Sequence, residues 1–292
     1  MTERPPTEGY YGRPIVKPPV WKNEVAWYLF TGGLAGGSSA LGLAARASGN
    51  RPLARSTTFT AAAALTASPI LLIKDLGRPE RFVNMLRVVK PSSPMNVGTW
   101  ILTVAGTAAG AAAACEATDV LPRVRAVAQG VAGLLGPALA TYTAVLVSDT
   151  AVPVWHEARA ELPLVFASGA AASAGAAAVI LTPSDAAGPA RRMMLAGAVG
   201  ELAATTAMER RLGALGEPYH RGKAGAFARA AKAATAAGAA LGAVSGRRRV
   251  TGRLAAGLVF GGAVAERFAV FRAGFQSAED PRYVVMSQRG RS

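Results

Sequence analysis

The chain has 292 residues, 51% of them apolar and only 17% charged, and its single cysteine, Cys115, excludes a disulfide framework, a cysteine-bound zinc and an iron–sulfur cluster held by this chain alone. A soluble chain carries about a quarter of its residues as Asp, Glu, Lys or Arg. Here the charges gather in short polar islands, and the runs between them approach the roughly 20 residues that cross a bilayer core of about 30 Å. The net charge of +15 borders those runs instead of covering one soluble face, which suits snorkelling membrane flanks and argues against a nucleic-acid partner.

Residues 1–24 form a polar, proline-rich segment with neither an apolar signal core nor a small-residue cleavage site. The run VAWYLFTGGLAGGSSALGLAA, from Val25 to Ala45, predicts a first spanning helix with aromatics at its start. Gly32 and Gly36, and Gly33 and Gly37, give that helix two overlapping faces of small residues on which other helices can pack closely. Further spans are predicted at Ser56 to Ile73, Met95 to Cys115, Ala126 to Val147, Leu162 to Leu181 and Met193 to Met208. Two more, Ala224 to Ser245 and Val250 to Phe271, are interrupted by Arg229 and Lys232 and by Glu266 and Arg267. The reading is an all-α integral membrane protein: an eight-helix, haem-free transmembrane bundle over residues 25–271, followed by a polar C-terminal tail, 272–292.

An even number of spans puts both termini on one side, here side A. The opposite side B has short loops dense in arginine: Arg46, Arg51 and Arg55; Arg123 and Arg125; Arg191 and Arg192; Arg247, Arg248, Arg249 and Arg253. Because the positive-inside rule acts on short loops, side B reads as cytoplasmic and side A as outside the cytoplasmic membrane.

A b-type haem needs paired helical histidines, whereas the only two histidines, His156 and His220, fall between spans. Polar and aromatic residues collect instead at the side A mouth. Asn23, Glu24, Trp27 and Tyr28 open the first span, Asp75 and Arg78 follow the second, and Asn96 and Trp100 begin the third. Tyr142 lies near the end of the fourth, followed by Ser148, Asp149, Trp155 and His156. A quinone needs an apolar slot for its ring, donors for its carbonyls and an acid to relay protons. The same residues also suit an interfacial aromatic belt with helix-capping carboxylates, and pattern alone favours the belt. Within the spans, Glu201, Glu266 and Arg267 are costly charges that serve either a proton path or a buried structural cluster.

Four segments carry a family resemblance: WYLFTGGLAGG in the first span, KDLGRPERF after the second, KPSSPMNVGTW into the third and YTAVLVSDTAVPVW at the end of the fourth. With them the chain resembles the NrfD/PsrC family, the membrane anchor subunits of polysulfide-reductase-like complex iron–sulfur molybdoenzymes. The second half is similar in hydropathy only. The resemblance implies a bundle that binds menaquinone or ubiquinone, beside a ferredoxin-like partner with four [4Fe–4S] clusters and a catalytic subunit carrying a molybdenum or tungsten bis-pterin cofactor. Those metal groups would sit on the partners alone.

By the same resemblance Tyr142 matches the family's quinone-site tyrosine, and Tyr28 stands where the polysulfide-reductase subunit has a histidine. The family's quinone-site asparagine falls at Val25, so that contact is lost or replaced by Asn23 or Asn96, and Trp100 completes the expected quinone-binding set. Asp75 lies near an acid proposed for proton transfer, with Glu201, Glu266 and Arg267 deeper in the bundle. The partner would dock on side A around Arg78, Trp155 and His156. The implied function is electron exchange between an iron–sulfur subunit and the quinone pool, as in formate dehydrogenase- or polysulfide reductase-like complexes. A structural anchor without quinone chemistry is the alternative, and a small-molecule transporter is a third, against which stands the lack of a visible inverted repeat.

Overall fold

The protein is described by a computed structural model covering residues 15–246 and 248–289; most of the proline-rich N-terminal segment, Arg247 of the last basic loop and residues 290–292 lie outside the described residues. The chain is all-helical, with no strand among the described residues. Its helices are α1 (Asn23–Ala47), α2 (Arg51–Leu76), α3 (Pro79–Leu86), α4 (Pro94–Thr118), α5 (Pro122–Ser148), α6 (Pro153–Glu157), α7 (Leu162–Leu181), α8 (Gly188–Leu212), α9 (Gly222–Val244), α10 (Arg249–Glu279) and α11 (Pro281–Arg289). A 3-10 segment, Gly213–Tyr219, joins α8 to α9.

Each predicted span falls on a long helix, but only α2, α4, α5, α7 and α10 are long and apolar enough to cross a membrane by length and composition. The other three are diluted by residues that the fold turns to use. Helix α1 buries Ser38, Ser39 and its glycines at the centre of the bundle. Helices α8 and α9 carry Arg191, Arg192, Glu201 and Glu209, and Lys223, Arg229 and Lys232.

Two boundaries differ from the hydropathy reading. Helix α2 starts at Arg51 and not at Ser56, because the Asn50 side chain accepts the Leu53 N–H at 3.2 Å and Pro52 occupies the first turn. Arg51 and Arg55 are therefore helical. Helix α10 continues through the expected tail to Glu279, and α11 follows. The cause is packing: Gly274 lies flat on the Trp155 ring, whose indole N–H donates to the Val270 carbonyl at 2.8 Å, and Ala273, Ser277 and Ala278 are buried beyond it.

The long helices form two groups that share α1 and α7 at the centre. Helices α1, α2, α4 and α5 pack together in the first half of the chain, and α7, α8, α9 and α10 in the second. The two small faces of α1 serve different partners. Gly32 and Gly36 meet α5, where a Cβ on Gly36 would stand 2.5 Å from the Gly136 carbonyl. Gly33 and Gly37 meet α7, where a Cβ on Gly37 would stand 2.5 Å from the Ala170 carbonyl. Backbone contact this close is available only to glycine.

Candidate functional site

The side A mouth is assembled by staples between helix ends. The Lys22 backbone N–H donates to Asp75 at 2.9 Å, Lys74 pairs with Glu24 at 3.3 Å, and Arg272 donates to the Asn23 side-chain amide oxygen, Oδ1, at 2.6 Å. These contacts fix where α1 begins against the ends of α2 and α10. One turn inside, the Tyr28 and Tyr142 hydroxyls are hydrogen-bonded to each other between α1 and α5. Both are buried, at 3% and 8% exposure, whereas the neighbouring Trp27 is 43% exposed and edge-packed on Phe268.

Two phenols share one proton in the bond between them, so the accepting phenol keeps its own O–H to donate elsewhere. The Tyr142 ring lies against α4 at Gly98, where any side chain would collide with it. Below the pair, Thr31 and Ser68 join α1 to α2 through their hydroxyls at 2.8 Å, and Thr143 buries a hydroxyl with no partner among the described residues.

The remaining mouth residues are occupied by the fold. The Asn96 amide donates to the Met85 and Val88 carbonyls at 2.7 and 2.8 Å and accepts the Lys90 N–H at 2.7 Å, which ties the loop after α3 to α4. Both its donors are spent. Trp100 gives its indole N–H to the same Val88 carbonyl at 3.4 Å. Arg78 is exposed ahead of α3, and His156 is half-buried in α6. Trp155 corrects an expectation: it is fully buried, stacked on Trp21 at 5.6 Å and bonded to α10, so it offers no surface to a docking partner.

A second cluster lies in the other half, where Glu201 of α8 and Glu266 of α10 line a cavity of about 10 Å³ with Thr205, Lys232 and Thr235. That is the room of one water molecule. Both carboxylates are 3% exposed; among the described residues neither Glu201 oxygen has a hydrogen-bond partner, nor does Oε1 of Glu266. Arg267 leaves α10 about 100° away from Glu266, on the flank that meets α7 beside the Glu201 carboxylate. Its guanidinium donates to the Phe166 carbonyl at 2.9 Å and lies 4.0 Å from the centre of the Phe166 ring. Toward side A, Lys232 pairs with Glu209, which lies 3.8 Å from the exposed His220. Gly169 of α7 leaves the space that the Glu201 carboxylate and the Arg267 guanidinium fill.

The structure thus brings Tyr28 to Tyr142, and Glu201 to Glu266 and Arg267, while Asn23, Asn96, Trp100 and Asp75 each serve a staple. Sequence reading missed Gly98 and Gly169, which carry no chemistry of their own. It noted Lys232 only as an interruption of an apolar run, and that interruption was the available signal.

The family model described as polysulphide reductase, NrfD, matches residues 15–208, which takes in α1 through nearly all of α8, the tyrosine pair and Glu201. Glu266 and Arg267 lie beyond the match. No curated protein matches the chain.

Proposed function

The chain belongs to the polysulphide reductase NrfD family, and on that premise we propose that this multi-pass membrane protein is the quinone-binding anchor subunit of a multi-subunit molybdenum or tungsten iron–sulfur oxidoreductase. All eight long helices cross the membrane in this reading, with both termini and the partner face on side A, outside the cytoplasmic membrane. A ferredoxin-like subunit docks there over the α2–α3 turn at Arg78 and beside His156, and electrons pass between its terminal cluster and menaquinone or ubiquinone.

The observation that carries the reading is the buried Tyr28–Tyr142 pair. An interfacial belt needs its aromatics exposed to headgroups, as Trp27 is, and these two are not. The pair also has a free donor: the phenol that accepts within the pair directs its own O–H at a ligand carbonyl. A quinone would supply two carbonyls and take up two electrons with two protons. The chain's part is to donate to one carbonyl from the tyrosine pair and to hold the ring beside that pair. A phenol with an ordinary pKa near 10 is a poor proton relay at neutral pH, so protons come by way of Asp75 at the mouth, while Glu201 and Glu266 carry any additional proton movement. Replacing Glu201 by Gln lowers the proton-to-electron ratio if they do.

The test is Tyr142→Phe in the assembled complex. Quinone turnover is expected to fall about tenfold or more, the value of one lost donor at a developing charge, with partner binding unchanged. Unchanged turnover selects the second reading, a structural anchor. That reading draws its support from the occupied side chains of Asn23, Asn96 and Trp100.

A further inference from the structure

On side B, the ends of α1 and α4 and the starts of α2 and α5 enclose a hollow of about 860 Å³. Its lining includes four arginines and two acids, and the acids are already matched. Glu116 is held by Arg46 at 2.7 Å and Arg125 at 3.3 Å, and Asp119 by Arg125 at 3.1 Å. The guanidinium groups of Arg51 and Arg55 are exposed and have no hydrogen bond or ion pair among the described residues. Arg55 lies 5.9 Å over the Phe59 ring, so it points along α2 toward the membrane.

A second hollow, of about 680 Å³, begins where the first ends, sharing Pro52 and Arg55. It runs along α2 as far as Ala64, between Leu34 of α1 and Leu181 of α7, with Phe59 and Ala63 in its wall. The twelve helical steps from Pro52 to Ala64 rise about 18 Å, close to the roughly 15 Å of one leaflet's hydrocarbon. Leu181 is 59% exposed, so the groove opens on the lipid side of the helices.

We propose that the two hollows are one binding site for an anionic phospholipid, whose phosphate is held by Arg51 and Arg55 and whose acyl chain lies in the groove between α1, α2 and α7. The pairing of surplus positive charge with an apolar channel of leaflet depth selects this occupant. A free anion has no use for the groove, and a neutral quinone has none for the two arginines. The lipid would fill the seam between α2 and α7, which is otherwise closed by the Ser56–Thr182 hydroxyl contact of 2.6 Å.

The experiment is native mass spectrometry of the delipidated full chain in detergent, titrated with phosphatidylglycerol or with phosphatidylcholine of the same acyl chains. One phosphatidylglycerol is expected to be retained about tenfold or more in preference to phosphatidylcholine. The Arg51→Gln, Arg55→Gln double variant weakens it about 10- to 30-fold. Neither arginine makes a hydrogen bond or ion pair among the described residues, and Arg55 touches only the Phe59 ring, so the variant is expected to fold, and its unfolding temperature in detergent without added lipid checks this. Ala63→Trp fills the groove and independently weakens the same lipid. Equal retention of both lipids, undiminished phosphatidylglycerol in the double variant, or full displacement by millimolar inorganic phosphate would overturn the proposal.

Discussion

Gly98→Ala tests the tyrosine pair through its packing. A Cβ at residue 98 would stand 2.5 Å from Cδ2 and 3.2 Å from Cζ of the Tyr142 ring, against an ordinary contact of 3.4–4 Å. The ring must therefore retreat by about 1 Å. It is buried and tied to Tyr28, so the retreat strains that bond or pushes α4 away from α5. Such overpacking costs about 1–3 kcal/mol. Gly106, two turns along the same helix, has nothing within 4 Å of its Cβ position, so Gly106→Ala is the matched control. Unfolding of both variants in one detergent at one scan rate should show Gly98→Ala alone destabilised. A displacement of 1 Å at a ligand-holding group also costs up to about 10²-fold in rate, so quinone turnover of the assembled complex should fall with it. Equal stability of the two variants refutes the packing; lost stability with full turnover refutes the use of the pair.

Gly36→Ala and Gly37→Ala should each destabilise by about 1–3 kcal/mol, since their Cβ atoms meet backbone of α5 and α7 that cannot swing aside; thermal unfolding no different from Gly110→Ala, whose Cβ position is open, contradicts the reading. Asn96→Ala removes the side-chain partner of the Met85 carbonyl and of the Lys90 N–H and leaves the Val88 carbonyl to the Trp100 indole N–H alone, with a loss of about 1–3 kcal/mol. Faster hydrogen exchange over residues 85–93 is the expected sign, and unchanged exchange counts against the clamp.

What the sequence disclosed follows from which physical signals are local. Apolar run length located the long helices, and glycine spacing in the first run disclosed its two packing faces. Capping was read less well: Asn50 and Pro52 start α2 inside a stretch that hydropathy assigns to a loop. The end of α10 was missed for a related reason, because Trp155 and Gly274, far apart in the chain, extend the helix to Glu279 by a packing that no local pattern records. Among the mouth residues, polarity announced a place and not a role. Asn96 and the tyrosines are alike in the sequence as donors, and only the fold shows that the amide is consumed while one phenol proton remains.

Helix α7 decides how the two halves can communicate. At Ala170 it faces α1, where Gly33 and Gly37 admit it to backbone contact, and one residue earlier, at Gly169, it faces the Glu201 carboxylate and the Arg267 guanidinium. The α1 contact and the acid cluster thus fall on neighbouring faces of one helix, about 100° apart, with small residues at both. Packing of that kind leaves little slack, because atoms in van der Waals contact on both sides cannot shift independently. A movement of α1 at the mouth would therefore meet α7 first, and through it the carboxylate beside Gly169. Arg267 completes the connection by gripping the Phe166 carbonyl on the same helix, one turn toward the mouth. If quinone occupancy at Tyr28 and Tyr142 alters the acid cluster, it does so through this helix and by displacement.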